Sequence, residues 1–293
     1  MRKVAEAVSH GAVTIVNAMA TGRGAALGVK LWTRAKVTLT NRPHQFVGRN
    51  LSDPEEDSNL IETTARHVFQ RFKADKSFGA LVETQSNIPI AVGLKSSSAA
   101  SNAVAIASLK VLSRKVSDIQ TVKMGVEASF MTNVTLTGAY DDACACYFGG
   151  LMVTDNVHRR ILKRFKPTEH FRVLIHVPNR KKYTSEVDRA SLRKFRLFVQ
   201  VAHREAMSGN YWNSMTLNGL VYCKAFGYDT KSIKEALHNG AIAAGLTGKG
   251  PAVAAIVPKT RVSQVLSAWD SLPGRIIETS FNFQKARALR VGS

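Results

Sequence analysis

Hydrophobic and polar positions follow two rhythms along the chain, and their order outlines the elements. Residues 9–21 form a largely apolar run that reads as a strand entering the glycine turn Gly22-Arg23-Gly24, and Leu27 to Thr40 continues as a second extended stretch with Val37, Thr38 and Leu39. Beyond Pro43, the hydrophilic stretch from Ser52 to Asp57 enters a helix striped by Leu60, Ile61, Thr64, Ala65, Val68 and Phe72. Gly79 to Gln85 alternates as a strand. Ala99 to Leu112 then repeats apolar residues at Ala100, Ala103, Val104, Ala107 and Val111, the spacing of an amphipathic helix. Ser117 and Gln120 stand at capping-box spacing and predict a helix to about Phe130.

The second half is patterned in the same way. Leu151 to Thr154 closes a strand, and a first domain is expected to end near Asn156, leaving 1–156 and 157–293 as two units. Phe171 to Val177 reads as a strand stopped by Pro178. A helix follows with Leu192, Phe195, Phe198, Val201 and Ala202 on one face, then a helix from Asn210 to Phe226 closed by Gly227. Its Trp212, Met215 and Tyr222 read as core. Around Ala241 to Val257 the pattern predicts a helix ending in a glycine turn, with Ala252 to Val257 returning as an apolar strand. No repeat or low-complexity tract interrupts these elements. The alternation of strands and helices predicts an α+β fold in two domains, a mixed sheet first and a sheet-and-helix layer second.

Composition narrows the class. A chain of 293 residues with 45% hydrophobic residues can bury a generous core, and it contains no unbroken apolar run of spanning length, so no membrane partner is expected. The first ten residues mix Glu6, Ser9 and His10 into a basic start, unlike a secretory signal. Three cysteines, Cys144, Cys146 and Cys223, leave no paired framework and read as buried residues of a cytoplasmic, reducing environment. Charge complicates the picture. The chain carries 41 basic and 21 acidic residues, and His158 to Arg204 alone holds 14 Lys/Arg against 3 Asp/Glu. Such a surface suits nucleic acid, anionic substrates, or plain solvated helix faces. No RNA-binding aromatic motif or zinc knuckle accompanies it, so nucleic acid is the disfavoured partner.

Three stretches can carry chemistry. The first, Pro89-Ile90-Ala91-Val92-Gly93-Leu94-Lys95-Ser96-Ser97-Ser98-Ala99, runs a Gly/Ser turn into the N-terminus of an alanine-rich helix. Free backbone N–H groups, the helix dipole, three hydroxyls and one ammonium suit a polyphosphate, although a simple serine N-cap would produce the same junction. No G-x-x-x-x-G-K-[ST] occurs, so the Walker-type loop is absent. The second stretch, Thr135 to Gly150, contains adjacent carboxylates at Asp141 and Asp142, which cannot share one helical face. The third is the glycine turn Gly245-Leu-Thr-Gly-Lys-Gly250.

The first stretch resembles the P-x-x-x-G-L-G-S-S-A-A nucleotide loop of the GHMP kinases, with Lys95 in place of glycine and one extra serine. Gly11 to Gly28 resembles the opening of that superfamily's archaeal shikimate kinase branch, and Leu217 to Tyr222 is similar to the same branch. The glycine turn resembles the superfamily's C-terminal motif, with Lys249 replacing a small hydroxyl residue. The resemblance implies a GHMP-type N-terminal domain and a ferredoxin-like C-terminal one. It implies phosphorylation of the 3-hydroxyl of shikimate by ATP with Mg²⁺, homoserine or a mevalonate-type alcohol being the alternative acceptors. Residues 89–99 would bind the nucleotide, and Ser98 and Glu127 would hold the metal. An aspartate would accept the hydroxyl proton: counting back from Gly149 selects Asp142, whereas matching Asp-Asp-Ala selects Asp141, the preferred alignment. Arg23 would stabilise the transferring charge or grip a substrate carboxylate, a role Lys182 could also fill.

Overall fold

The computed structural model describes residues 3–135, 137–168, 170–179 and 192–289. Lys182, one of the two expected carboxylate ligands, lies outside the described residues.

Two sheets organise the chain. Strand β1 (Val4–Val16) pairs antiparallel with the long β2 (Arg23–Thr40), across the 3-10 turn Ala18–Ala20. The far half of β2 pairs with β4 (Gly79–Ser86), which takes β3 (Phe46–Asn50) as a parallel neighbour. The near half of β2 pairs with β5 (Leu151–Asp155), placing Arg23 opposite Asp155 and Gly24 opposite Thr154. Strand β6 (Arg160–Phe165) adds to β5, and the short β11 (Arg287–Ala288) returns to pair with β1. The first sheet therefore has seven strands of mixed direction, and the chain near Asn156 lies within the β5–β6 hairpin. A second, wholly antiparallel sheet runs in the order β10 (Arg275–Thr279), β7 (Phe171–Val177), β9 (Val253–Pro258) and β8 (Ala243–Leu246).

Helices α1 (Asn59–Arg71), α2 (Ser96–Val111), α3 (Asp118–Met131) and α4 (Tyr140–Phe148) accompany the first sheet. Helix α5 (Arg196–Ser208) packs on α6 (Tyr211–Phe226) and against β1 and β2, while α6, α7 (Lys231–His238) and α8 (Val262–Asp270) accompany the second sheet. The expected mixed sheet followed by a sheet-and-helix layer is what forms. The capping box at α3 is complete, Ser117 Oγ accepting from Gln120 N while Gln120 Oε1 accepts from Ser117 N. Gly227, with φ +70°, ends α6 in the left-handed conformation that glycine adopts without a Cβ penalty.

One apolar core runs through both sheets, from Val13, Ile15 and Leu27 to Ile175 and Ile256. A second joins β1–β4 to α1 and α2, where the Phe46 and Phe69 rings meet edge to face at 5.2 Å. Met215, Tyr222 and all three cysteines are core residues. Two expectations fail. Ala243–Leu246 is a strand rather than the end of a helix: a four-residue apolar run has no intrinsic period, and its pairing with β9 decides it. Helix α5 buries Val199, Ala202 and Ala206, whereas Phe198 and Val201 are turned outward at 55% and 38% exposure. No described helix is long and apolar enough to cross a membrane.

Candidate active site

The expected phosphate loop has an unusual backbone. Ala91, Gly93 and Lys95 all adopt positive φ, at +58°, +92° and +66°, so left-handed residues alternate through the turn. Such alternation points successive N–H groups to one side, as in anion-binding nests. Lys95 occupies the N-cap of α2 and no side chain caps the helix, so the serine N-cap does not form and the first-turn N–H groups are left for a ligand. Gly93 packs so tightly against the Thr247 carbonyl that a Cβ would overlap it. The loop is also bonded to the third stretch: Thr247 Oγ1 donates to Gly93 O at 2.9 Å, and Ala252 N donates to Val92 O at 3.2 Å. These contacts explain the glycines on both sides.

Loop residues divide by direction. Ile90, Ala91, Gly93, Lys95, Ser96, Ser97 and Ser98 line a cavity of about 430 Å³. Val92, Leu94 and Ala99 turn into the core, and Pro89 borders a separate groove. Helix α4 brings both aspartates into the same cavity, because it begins at Tyr140 and places them in its first turn. Asp141 is 4% exposed. Its Oδ1 accepts from Asn156 Nδ2 at 2.8 Å, and Asn156 Oδ1 in turn accepts from the Asp141 N–H at 3.2 Å and from Thr154 Oγ1 at 2.7 Å. Burial and the neighbouring Asp142 push the Asp141 carboxyl up to about 7, against the opposing pull of Lys95 and Asn156.

Asp142 faces Lys95 instead. The ammonium lies 3.1 Å from Asp142 Oδ1, an ion pair by distance whose angle falls outside hydrogen-bond geometry, and it donates to Thr14 Oγ1 at 2.6 Å. Thr14 Oγ1 also accepts from Gly248 N at 2.7 Å, and Asn17 Nδ2 donates to Gly248 O at 2.7 Å. A single buried lysine thus connects β1, the phosphate loop, the aspartate pair and the C-terminal glycine turn.

Models of two family domains match this chain, the GHMP kinases N terminal domain at residues 59–150 and the GHMP kinases C terminal domain at 202–274. A shikimate kinase of Methanosarcina mazei is 40% identical over 278 residues, covering 94% of each chain. The chain belongs to the GHMP kinase family. Its activity is that of an ATP-dependent small-molecule kinase. A shikimate kinase of Pyrococcus furiosus is 41% identical, with 87% of this kinase and 92% of that one covered. Among solved structures, Methanococcus jannaschii mevalonate kinase superposes with a TM-score of 0.74 at 15% identity, covering 96% and 99% of the two chains. Lactococcus lactis galactokinase does so with 0.77 at 11%, covering 99% and 95%, and these two likenesses establish the fold.

Two expected site residues of this kinase lie apart from the carboxylates. Glu127 is on α3 with both oxygens engaged, Oε1 by Arg159 Nη1 at 2.8 Å and Oε2 by His67 Nε2 at 2.9 Å, and it does not line the cavity. Arg23 lines a neighbouring basic pocket. The expected list, in turn, lacked Asn156, Thr14 and Asn17. Thr14 and Asn17 fall within the Gly11–Gly28 stretch that carries the resemblance, but their roles, like that of Asn156, come from partners at least 15 residues away. Among the described residues no cluster of three His, Cys, Asp or Glu side chains could hold a metal by itself.

Proposed function

We propose that this kinase transfers the γ-phosphoryl group of ATP to the 3-hydroxyl of shikimate. The observation that carries the substrate is near-full-length similarity, at about 40% identity, to archaeal proteins named shikimate kinase. The catalytic geometry supports it with a phosphate-binding turn and a buried aspartate at one cavity. Phosphoryl transfer asks mainly for positioning and charge stabilisation. Backbone N–H groups from Gly93 to Ser98 hold the triphosphate, and the α2 dipole favours its charge.

Asp141 accepts the hydroxyl proton. Its carboxyl titrates close to working pH, which suits a general base, and Asn156 fixes its rotamer. Asn156→Ala is expected to lower kcat by about 10- to 100-fold through misplacement of that carboxylate, with the KM for ATP little changed. Steady-state kinetics in both substrates read the split. Lys95 pairs with Asp142 and adds positive charge beside the transferring group.

The cavity presents hydroxyl and carboxylate oxygens and no thiol or imidazole among its described lining, a donor set that fits Mg²⁺. Ser98, one of the hydroxyls that line the cavity, would hold the ion. Glu127 joins only by releasing Arg159 or His67. When bound, the ion neutralises charge on the phosphate oxygens.

The deciding experiment is ADP release with Mg-ATP against shikimate, homoserine and mevalonate. Turnover with shikimate alone is expected. Turnover only with another alcohol overturns the substrate while leaving the kinase.

A further inference from the structure

A second cavity of about 440 Å³ is lined by Thr21, Arg23, Arg196, Gln200, His203 and Arg204. The last four come from α5 at i, i+4, i+7 and i+8, one face of a helix. No ion pair engages any of the three guanidinium groups among the described residues. His203 lies beneath them, 5% exposed, with a buried Nε2 that has no hydrogen-bond partner among the described residues. Three guanidinium groups against one nearby carboxylate, Asp155 across from Arg23 on β5, leave the pocket cationic over an unpartnered buried imidazole, and that combination suits an anion.

Its position relates it to the reaction. Arg23 precedes Gly24, whose Cα packs so closely on Asp141 that a Cβ would overlap the carboxylate. The same turn contributes Ala18 and Met19 to the catalytic cavity and Thr21 to this one. The two cavities therefore flank one turn, the catalytic one on the Ala18–Met19 side and the cationic one on the Thr21–Arg23 side.

We propose that this pocket seats the carboxylate of the acceptor, with Arg196 and Arg204 of α5 closing on it opposite Arg23, and that it selects anionic over neutral alcohols. The assignment rests on the proposed substrate. Guanidinium forks match a carboxylate in two parallel hydrogen bonds, which a lysine cannot reproduce. The pocket also gives a local use to part of the basic excess between His158 and Arg204.

The test compares wild type with Arg196→Gln, Arg204→Gln and Arg204→Lys, using shikimate and its neutral carboxamide as acceptors. Both arginines are exposed, so the variants are expected to fold, which thermal unfolding verifies. Each glutamine variant is expected to raise the KM for shikimate by about 10- to 100-fold, with the KM for ATP within about 2-fold. Wild type discriminates against the carboxamide by a similar factor, the glutamine variants lose that discrimination, and Arg204→Lys recovers part of it. Wild-type turnover of shikimate with an unaltered KM in both glutamine variants overturns the seat alone. Wild type that ignores shikimate and turns over a neutral alcohol overturns the substrate reading and the seat together.

Discussion

Asp141→Asn is expected to cut turnover by about 10²- to 10⁴-fold, the range a positioned general base contributes, while ATP still binds with nearly wild-type affinity. The side chains are the same size, and the amide can keep the contact with Asn156 while losing the ability to accept a proton. Pre-steady-state ADP formation and equilibrium nucleotide binding separate the two effects. Unchanged turnover would move the base to Asp142. The wild-type pH profile makes the same case. Burial and Asp142 raise the Asp141 carboxyl to about 7, so it is protonated and inactive below that value. The kcat/KM should therefore climb about tenfold per pH unit up to neutrality and level off above it.

Stability runs the other way. A carboxyl whose pKa is raised on folding contributes stability below the unfolded value of about 3.9, and that contribution is lost as pH rises through about 7. Above neutrality the enzyme thus carries an unfavourable buried charge that Asp141→Asn removes. The variant is expected to be more stable than wild type at pH 8, by roughly 1–3 kcal/mol, and equal to it near pH 4. Urea unfolding at the two pH values measures this.

Local periodicity made much of this site legible. The α2 repeat at Ala100, Ala103, Val104 and Ala107 placed a helix directly after the glycine turn, and the Ser117 capping box set the start of α3. Adjacency also showed that Asp141 and Asp142 must diverge. What separates their surroundings could not be read from spacing, because it comes from Asn156 beside Asp141 and from Lys95 beside Asp142. Glu127 illustrates the same limit: the family resemblance offers it as a metal ligand beside Ser98, yet Arg159 and His67 compete for its oxygens. The arginines of α5 were visible only as charge density. Their convergence on Arg23 needs α5 to pack against the start of β2, a contact no local pattern encodes. Short apolar runs were the other blind spot, as at β8, where pairing rather than period selects the conformation.

Lys95→Gly is expected to separate the loop's backbone from its charge. Lys95 holds φ +66°, a conformation glycine adopts freely, so the substitution relieves backbone strain of about 1 kcal/mol and should leave the nest intact. The loss is electrostatic. The ammonium is the cation paired with Asp142, and without it the buried Asp141 and the half-buried Asp142 repel each other unopposed. The Asp141 carboxyl, which Lys95 pulls down, then rises further, and the acidic limb of the pH profile shifts to higher pH. At pH 7 kcat is expected to fall by about 10²- to 10³-fold, of which higher pH restores the part due to protonation. The cavity left by the side chain is bordered by Thr14 Oγ1 and Asp142, the two groups the ammonium touches. A small alkylammonium ion in solution can occupy it, so methylammonium should rescue turnover in a saturable manner and trimethylammonium, lacking N–H donors for both partners, should not. A profile that stays in place, with no rescue, would reduce Lys95 to a packing residue of the loop.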